Sequence, residues 1–586
     1  LFACLPQLGT PYWNDPVEGG RARWQLAGVV ALTLGTTGVS VLFNFLGRDF
    51  FNALSEKDAE RFTQMLIKWL GGVVLGVPVF VFRDYVQSRL ALDWRDYMTR
   101  RLTEDYFRNR TFYQIQSGTL IDNPDQRISS DVRQFTDTAL GFSMTILNAG
   151  VDLISFSGIL YSIYPPLFVA LLIYSLGGTA TSVFLGRKLV GLNFQQEAQE
   201  ANFRFGLVRV RENAESIAFY GGEESEAKLL FQRLGKVVAN YGDLLVTSRN
   251  LSFFTSFYRQ ILPAAVVAPL FFRGEIEFGV INQSSSAFNH ILSDVSLVVY
   301  QFEALAGFSA IIDRLGEFSE VVDNFASPPE ADALPGAASS NGAEASKIDL
   351  VDRPHHASSA KLLSLESVTL RTPNGMRTLV QDLTLQVGAG ESLLIVGPSG
   401  TGKTSLLRAI AGLWSSGSGT ITRYGKPIAA DGTGGDILFV PQRPYMVLGT
   451  LREQLLYPTW STVPSSSTAT RCACPPQING TGSATGLDSL ADWAGVLSLG
   501  EQQRLAFARI LLLKPRLVLM DEATSALDIG NEEILYRAIA GAGVTFVSVG
   551  HRPTLAEFHQ RVLRLNPTSG GLDVEQSATW EVQATA

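Results

Sequence analysis

The run Gly397-Pro398-Ser399-Gly400-Thr401-Gly402-Lys403-Thr404 has residue types and spacing that directly imply chemistry. It fits the pattern G-x-x-x-x-G-K-[ST]. The apolar stretch Leu393 to Val396 precedes it and the helical stretch Ser405 to Ile410 follows, so its glycines fall at a strand-to-helix turn. There they let the backbone curl until successive N–H groups face one concavity, which binds phosphate at a helix N-terminus. Lys403 is expected to reach the β- and γ-phosphates, and the Thr404 hydroxyl to ligate Mg²⁺. The expected ligands are therefore ATP and Mg²⁺, with Gly397 through Ser405 as the phosphate-binding set. Phosphoryl chemistry also needs a carboxylate to hold the metal and a group to orient water. Asp521 ends the apolar run Leu517 to Met520, which carries its carboxylate to a strand's carboxyl end. Glu522, beside it, is the candidate for polarising the attacking water.

Buried parallel strands must position these groups. From Lys361 onward short apolar runs dominate: Leu393 to Val396, Ile437 to Val440, Leu517 to Met520 and Val544 to Val547. Each ends in a polar or glycine element, the pattern of an α/β domain, expected over residues 361–586. Residues 326–360 are rich in Ala, Ser, Pro and Gly and read as a flexible linker.

The first 325 residues read differently. Trp24 to Leu46 carries no formal charge and is long enough to cross a bilayer as a helix. Similar stretches follow at 66–86, 140–163, 165–185 and 251–272, with a weaker sixth at 280–312. The charged segments Asp84 to Thr138 and Gly186 to Asn250 read as helices continuing out of the lipid, and their arginines favour the cytoplasmic side. Asp152 and Arg259 fall inside spans, where charges are costly, and are expected to face a polar pathway.

Composition agrees with this division. The 586 residues (63.7 kDa) exceed one compact core. They are 46 % hydrophobic and 17 % charged, with a mean hydropathy of +0.15, against about 25 % charge in soluble domains. The net charge of −8 argues against a nucleic-acid partner. Cys4, Cys472 and Cys474 are too few for a disulfide scaffold and a weak metal signal. The chain opens on Leu1, so a preceding segment carrying address information is expected.

The run Leu497-Ser498-Leu499-Gly500-Glu501-Gln502-Gln503-Arg504 narrows the class. It resembles the signature motif of ATP-binding cassette (ABC) proteins. Gln442 in Val440-Pro441-Gln442, Ser525-Ala526-Leu527-Asp528, and His551 after Ser548-Val549-Gly550 follow in that family's order. Asp122-Asn123-Pro124-Asp125-Gln126-Arg127 and the stretch Glu212 to Gly222 resemble loop motifs of ABC subfamily D, half-transporters of organelles with bacterial relatives. The resemblance implies a six-helix, all-α, exporter-type membrane domain followed by an α/β P-loop ATPase domain. It implies catalytic roles for Glu522, His551 and Gln442, and Mg²⁺ contacts for Thr404, Gln442 and Asp521. It also implies ATP contacts for Ser498, Gly500, Glu501 and Asp528.

With one phosphate loop and one signature per chain, the resemblance implies a dimer with a second copy or a related half-transporter. It implies a lipid bilayer as host and a small hydrophobic cargo, a fatty acid or acyl-CoA, with cobalamin or peptides as alternatives. A membrane protein that gates without pumping is a further alternative. The expected location is an organelle membrane, plastid envelope or peroxisome, ahead of a bacterial inner membrane. Three departures stand out. Leu499 replaces a glycine of the signature. Ser461 to Thr485 lacks the helical period the family has there. The adenine-stacking aromatic is absent near Arg371-Thr372-Pro373, which leaves Tyr457 as the substitute.

Overall fold

The structure is a computed structural model. It describes residues 4–118, 121–163, 165–295, 302–326, 347–354, 361–373, 377–428, 435–459, 486–567 and 578–585. The chain divides into two compact units, Leu1–Leu334 and Pro335–Ala586.

The first unit is helical. Its long helices are Gly19–Ser55, Ala59–Phe107, Val132–Ile163, Pro165–Glu212 and Glu223–Phe272, followed by Phe278–Val295 and Phe302–Ala326. At 1.5 Å per residue, the 49 residues of Ala59–Phe107 extend roughly 70 Å, more than twice a hydrocarbon core. The helices therefore continue beyond the lipid, as the charged segments predict. Asp58 starts this helix by accepting from the backbone N–H groups of Glu60 and Arg61. Among the described residues, three helical segments are long and apolar enough to cross a membrane: Gly19–Ser55, Ala59–Gly118 and Pro124–Ile163. The stretches 165–185 and 251–272 fall within helices Pro165–Glu212 and Glu223–Phe272. The described parts of 280–312 are helical, and residues 296–301 lie outside the described set.

Packing explains why Gly19–Ser55 and Ala59–Phe107 lie so close. A Cβ at Gly76 would fall 2.7 Å from Val39, and one at Gly72 3.4 Å from Phe43. Glycines four apart form a groove that admits the neighbouring helix, the usual device where lipid removes the hydrophobic drive to associate. Asp152 is buried; its carboxylate accepts from the Thr37 hydroxyl and, at 2.8 Å, from the Asn148 amide. Arg259 lies within a helix, with its side chain outside the described set. Farther along, buried Arg127 donates to Asp122, to Glu317 and to the Arg314 carbonyl, while Arg314 pairs with Asp131. The Asp122 loop is thereby tied to helix Phe302–Ala326.

The second unit is built on strands β1 (Asp349–Arg353), β2 (Lys361–Arg371), β3 (Thr378–Gly388), β4 (Ser392–Val396), β5 (Gly417–Tyr424) and β6 (Ile437–Val440). The short β7 (Gly449–Thr450) and β8 (Leu490–Ala491) pair separately. Then come β9 (Leu517–Asp521), β10 (Thr545–Val549), β11 (Arg561–Pro567) and β12 (Ala578–Ala584). Ten of them form one sheet in the order β1-β5-β2-β3-β12-β11-β4-β10-β9-β6. The pairings β11-β4-β10-β9-β6 are parallel, and β3-β2-β5 is an antiparallel ribbon.

The parallel strands read as unbroken apolar runs because both faces are covered. Along β9, Leu517 and Leu519 face one core with Leu406 and Ile410 of helix Lys403–Ala411. Val518 and Met520 face the opposite core, with Phe507, Tyr536 and Ile539. Helix Leu499–Leu513 covers that second face and ends at β9, so the signature and the Asp521-Glu522 pair share one scaffold. Residues 460–485, including the unusual Ser461 to Thr485 stretch, lie outside the described set.

Candidate nucleotide site

The phosphate loop links β4 to helix Lys403–Ala411. Gly400 (φ 82°) and Gly402 (φ 90°) adopt the left-handed region that favours glycine. Pro398, Ser399 and Gly400 are exposed at the loop's crest, and Ser405 lies in the first turn of the helix. Thr401 braces the loop from within by donating to the Pro398 carbonyl at 2.9 Å. The Lys403 ammonium lies inside the loop, donating to the carbonyls of Gly397 (2.9 Å) and Pro398 (2.8 Å). Burial holds its pKa below the usual lysine value, while the nearby charges of Glu522 and Asp521 act the other way.

Asp521 accepts from the Thr404 hydroxyl at 3.1 Å. Burial, with a smaller contribution from the charge of Glu522, pushes its carboxyl above the ordinary range, and the Thr404 bond partly offsets this. A half-buried carboxylate of raised pKa beside a hydroxyl favours a cation, and both oxygens are hard donors suited to Mg²⁺. The inward-curled loop and its buried lysine likewise fit a polyphosphate.

Glu522 turns out of the strand with φ 48°, a left-handed conformation that costs energy for a residue with a Cβ. Its N–H donates to the Val549 carbonyl at 3.1 Å, which fixes the turn. The side chain is then gripped on both oxygens. The Gln442 amide donates to Oε2 at 2.9 Å, and His551 Nε2 lies 2.8 Å from Oε1. Gln442, Glu522 and His551, separate in sequence, thus converge at the carboxyl ends of three adjacent strands, β6, β9 and β10, next to the Thr404–Asp521 pair.

The signature residues occupy the start of helix Leu499–Leu513. Ser498 is its N-cap, and its hydroxyl and N–H both donate to Glu501 at 2.8 and 2.9 Å. These bonds, the side-chain one leading, hold Glu501 below the usual carboxylate range. A Cβ at Gly500 would lie 3.1 Å from the Ala526 carbonyl, so the helix start sits directly on the Ser525-to-Asp528 loop. Asp528 caps the next helix, Ile529–Gly541, and Asn531 lowers its pKa through a backbone N–H donated at 2.7 Å. Leu499 makes its substitution at a helix position with no loss of the cap.

Tyr457 is the C-cap of helix Leu451–Leu456. Its ring lies against Tyr445 and 5.4 Å from the Arg509 guanidinium. That face is already engaged, because Arg509 is anchored to the Gln454 and Tyr445 carbonyls.

Three polar residues to which the motifs assign no role complete the arrangement. Arg552, next to His551, donates to the Leu527 (2.7 Å) and Ser525 (3.2 Å) carbonyls and pairs with Glu532, which is 1 % exposed. Gln503 shares a fully buried helical stripe with Phe507 and Ile510. A polar residue on such a stripe was the available signal, since buried polar groups require partners. No group of three or more His, Cys, Asp or Glu side chains suited to a metal is found among the described residues.

Comparison with known proteins follows this division. Residues 16–272 match the family described as ABC transporter transmembrane region 2, and residues 380–525 match the ABC transporter family. The chain is 52 % identical to ABC transporter D family member 2, chloroplastic, of Arabidopsis thaliana, over 97 % of this chain and 86 % of that one. It is 30 % identical to the lysosomal cobalamin transporter of Homo sapiens, over 92 % of this chain and 90 % of the other. A bacterial Atm1-family ABC exporter solved with ATP bound shares its fold, with a TM-score of 0.65 at 17 % identity, covering 92 % and 93 % of the two chains.

Proposed function

This chain belongs to the ABC transporter family, in its D subfamily, and on that premise we propose that it works as a dimeric half-transporter moving a hydrophobic acyl compound, a fatty acid or acyl-CoA, across an organelle membrane. The observation that carries the reading is the convergence of Gln442 and His551 on Glu522 beside the Lys403, Thr404 and Asp521 side chains.

Lys403 gives up its two loop carbonyls to the β- and γ-phosphates as ATP enters. Thr404 and Asp521 would hold Mg²⁺, with Gln442 as a further contact. Bound there, Mg²⁺ would supply positive charge to the phosphate oxygens during transfer. Glu522 takes a proton from the attacking water, and His551 fixes the carboxylate's direction from its far side. Ser498 and Gly500 contribute the partner's side of each nucleotide, since one chain holds a single loop and a single signature. A two-fold dimer satisfies both sites at once. Closing and opening of that dimer biases the membrane helices between inward- and outward-facing states. The Asp122 loop, tied to helix Phe302–Ala326, and the exposed Phe219 and Tyr220 of helix Ala214–Tyr220 are the segments that carry the motion.

The organelle reading is supported by the Arabidopsis relative, whose name is chloroplastic. Cobalamin is the second cargo reading, favoured by the human relative. Protein reconstituted in liposomes tests both. Acyl-CoA should stimulate ATP hydrolysis and accumulate on one side of the membrane, with cobalamin doing neither. Cobalamin uptake without acyl-CoA uptake would transfer the assignment, and ATP hydrolysis with no uptake of either would indicate a gating protein.

A further inference from the structure

The side chain of Gln503 makes three hydrogen bonds from a fully buried position. Its amide donates to the Gln442 carbonyl at 3.0 Å and to the Ser525 hydroxyl at 3.2 Å; its carbonyl oxygen accepts from the Ala526 N–H at 3.0 Å. Both amide hydrogens and the oxygen are therefore used, which no other side chain of this shape can reproduce. Gln442 is the residue whose own amide grips Glu522. Ser525 and Ala526 form the loop on which Gly500 of the signature rests, and Arg552 holds the same loop from its other side through the Ser525 and Leu527 carbonyls.

We propose that Gln503 is a positioning residue that couples the two ATP sites of the dimer, transmitting a displacement of Gln442 at one site to the Ser525-to-Asp528 loop and signature that face the other. This rests on the dimer reading given above. Gln442 moves when Mg²⁺ and nucleotide bind, because its amide must redirect from Glu522. Its backbone carbonyl is fastened to Gln503, and Gln503 is fastened to the loop at both Ser525 and Ala526. The signature helix carries Gln503 itself, so the loop and the helix start shift as one body. Gln503 is fully buried on the same helix as Phe507 and Ile510, in a close-packed interior where side chains have little room to shift. The loop's second restraint, Arg552, comes from beside His551, so the γ-phosphate end of the site pulls on the same three residues.

Gln503→Glu tests the idea, because it keeps size and removes both donors. In the full-length protein in liposomes, the Hill coefficient for ATP in hydrolysis should fall from about two toward one, two being the limit for two sites. Turnover should fall about 10- to 100-fold, the usual penalty for misplacing a catalytic arrangement. Nucleotide affinity measured by a fluorescent ATP analogue should stay within about twofold, because Gln503 touches neither Lys403 nor Thr404. A merely structural residue would lower affinity and turnover together and leave the Hill coefficient alone. If Gln503→Glu does not fold, Ser525→Ala removes one acceptor at an exposed loop position and should give the same fall in Hill coefficient, smaller in size. A cooperative wild type with an equally cooperative Gln503→Glu, or Ser525→Ala in its place, overturns the coupling role alone. A wild type that is monomeric by cross-linking and non-cooperative overturns the dimer reading, and this inference with it.

Discussion

Asp152 in the helical unit and Glu522 in the nucleotide unit are carboxylates with two side-chain partners each, and they are held for opposite ends. Asp152 is met by two neutral donors from its own and a neighbouring helix, Asn148 and Thr37, and its surroundings leave both oxygens answered. Glu522 is met by Gln442 and by His551, at a turn in the left-handed region, with Asp521 and Lys403 nearby. The first arrangement closes a helix interface. The second holds strain and unbalanced charge at a strand end, where a water and a phosphate can use it. The same contrast runs through the apolar side chains. The helical unit leaves Trp24, Val74 and Leu75 outward, while the sheet encloses Leu517 to Met520 on both faces. Lipid accepts the former, and water forces the latter.

If the contrast is right, removing charge from Glu522 costs rate and not stability. Glu522→Gln should slow hydrolysis about 10²- to 10⁴-fold while still binding ATP, measured by phosphate release beside nucleotide binding. Hydrolysis near the wild-type rate would move the base elsewhere, with His551 the next candidate. Lys403→Ala is the companion variant and should lose ATP binding itself.

His559 sharpens the comparison from within the nucleotide unit, as a buried polar group with a structural role. Its Nδ1 bonds the Leu555 carbonyl and its Nε2 the Ser548 hydroxyl, and burial pushes its pKa down to about 4. The unfolded chain takes up that proton near 6.5, so His559's contribution is whole above about pH 6.5 and is lost as pH falls toward 4. The full loss is about 3 kcal/mol. Melting of the solubilised protein should therefore drop between pH 7 and pH 5, and His559→Gln should flatten that drop. An equal drop in the variant would place the acid sensitivity on other groups.

Asp152→Ala would leave the Thr37 hydroxyl and the Asn148 amide without their acceptor, at a cost of about 1–3 kcal/mol. Asp152→Asn keeps an acceptor and should cost less, with transport retained by both if the role is structural. Denaturation in detergent ranks the three proteins, and loss of transport by a stable Asp152→Asn would instead place this carboxylate on the cargo path. The smallest expected effect is at Asp58, the N-cap of Ala59–Phe107. Asp58→Ala should lower stability by about 1 kcal/mol and leave ATP turnover unchanged. A change in turnover would mean that the helix start takes part in coupling.

Legibility in the sequence tracked locality. The phosphate loop, the Asp521-Glu522 pair and the signature are contiguous runs whose neighbours already specify strand or helix, so their placement could be read off residue by residue. Helices beyond the lipid were legible for the same reason, since charge interspersed with an apolar period needs no partner to be seen. The neighbours of Tyr457 were not legible, because the Arg509 guanidinium that lies over its ring comes from 52 positions later. Gln503 stood in the signature run, but its partners Gln442 and Ser525, like the Ser525 carbonyl and Glu532 that Arg552 meets, lie 20 or more residues away and could not be read from it. The sequence by itself determined two units, one suited to lipid and one to phosphate, because composition and local pattern carry the burial of apolar surface. Only the tertiary structure decided which polar groups meet at Glu522 and which brace the loop behind it. Hydrogen bonds are short and directional, and their partners are chosen by the sheet order that brings β6, β9 and β10 side by side.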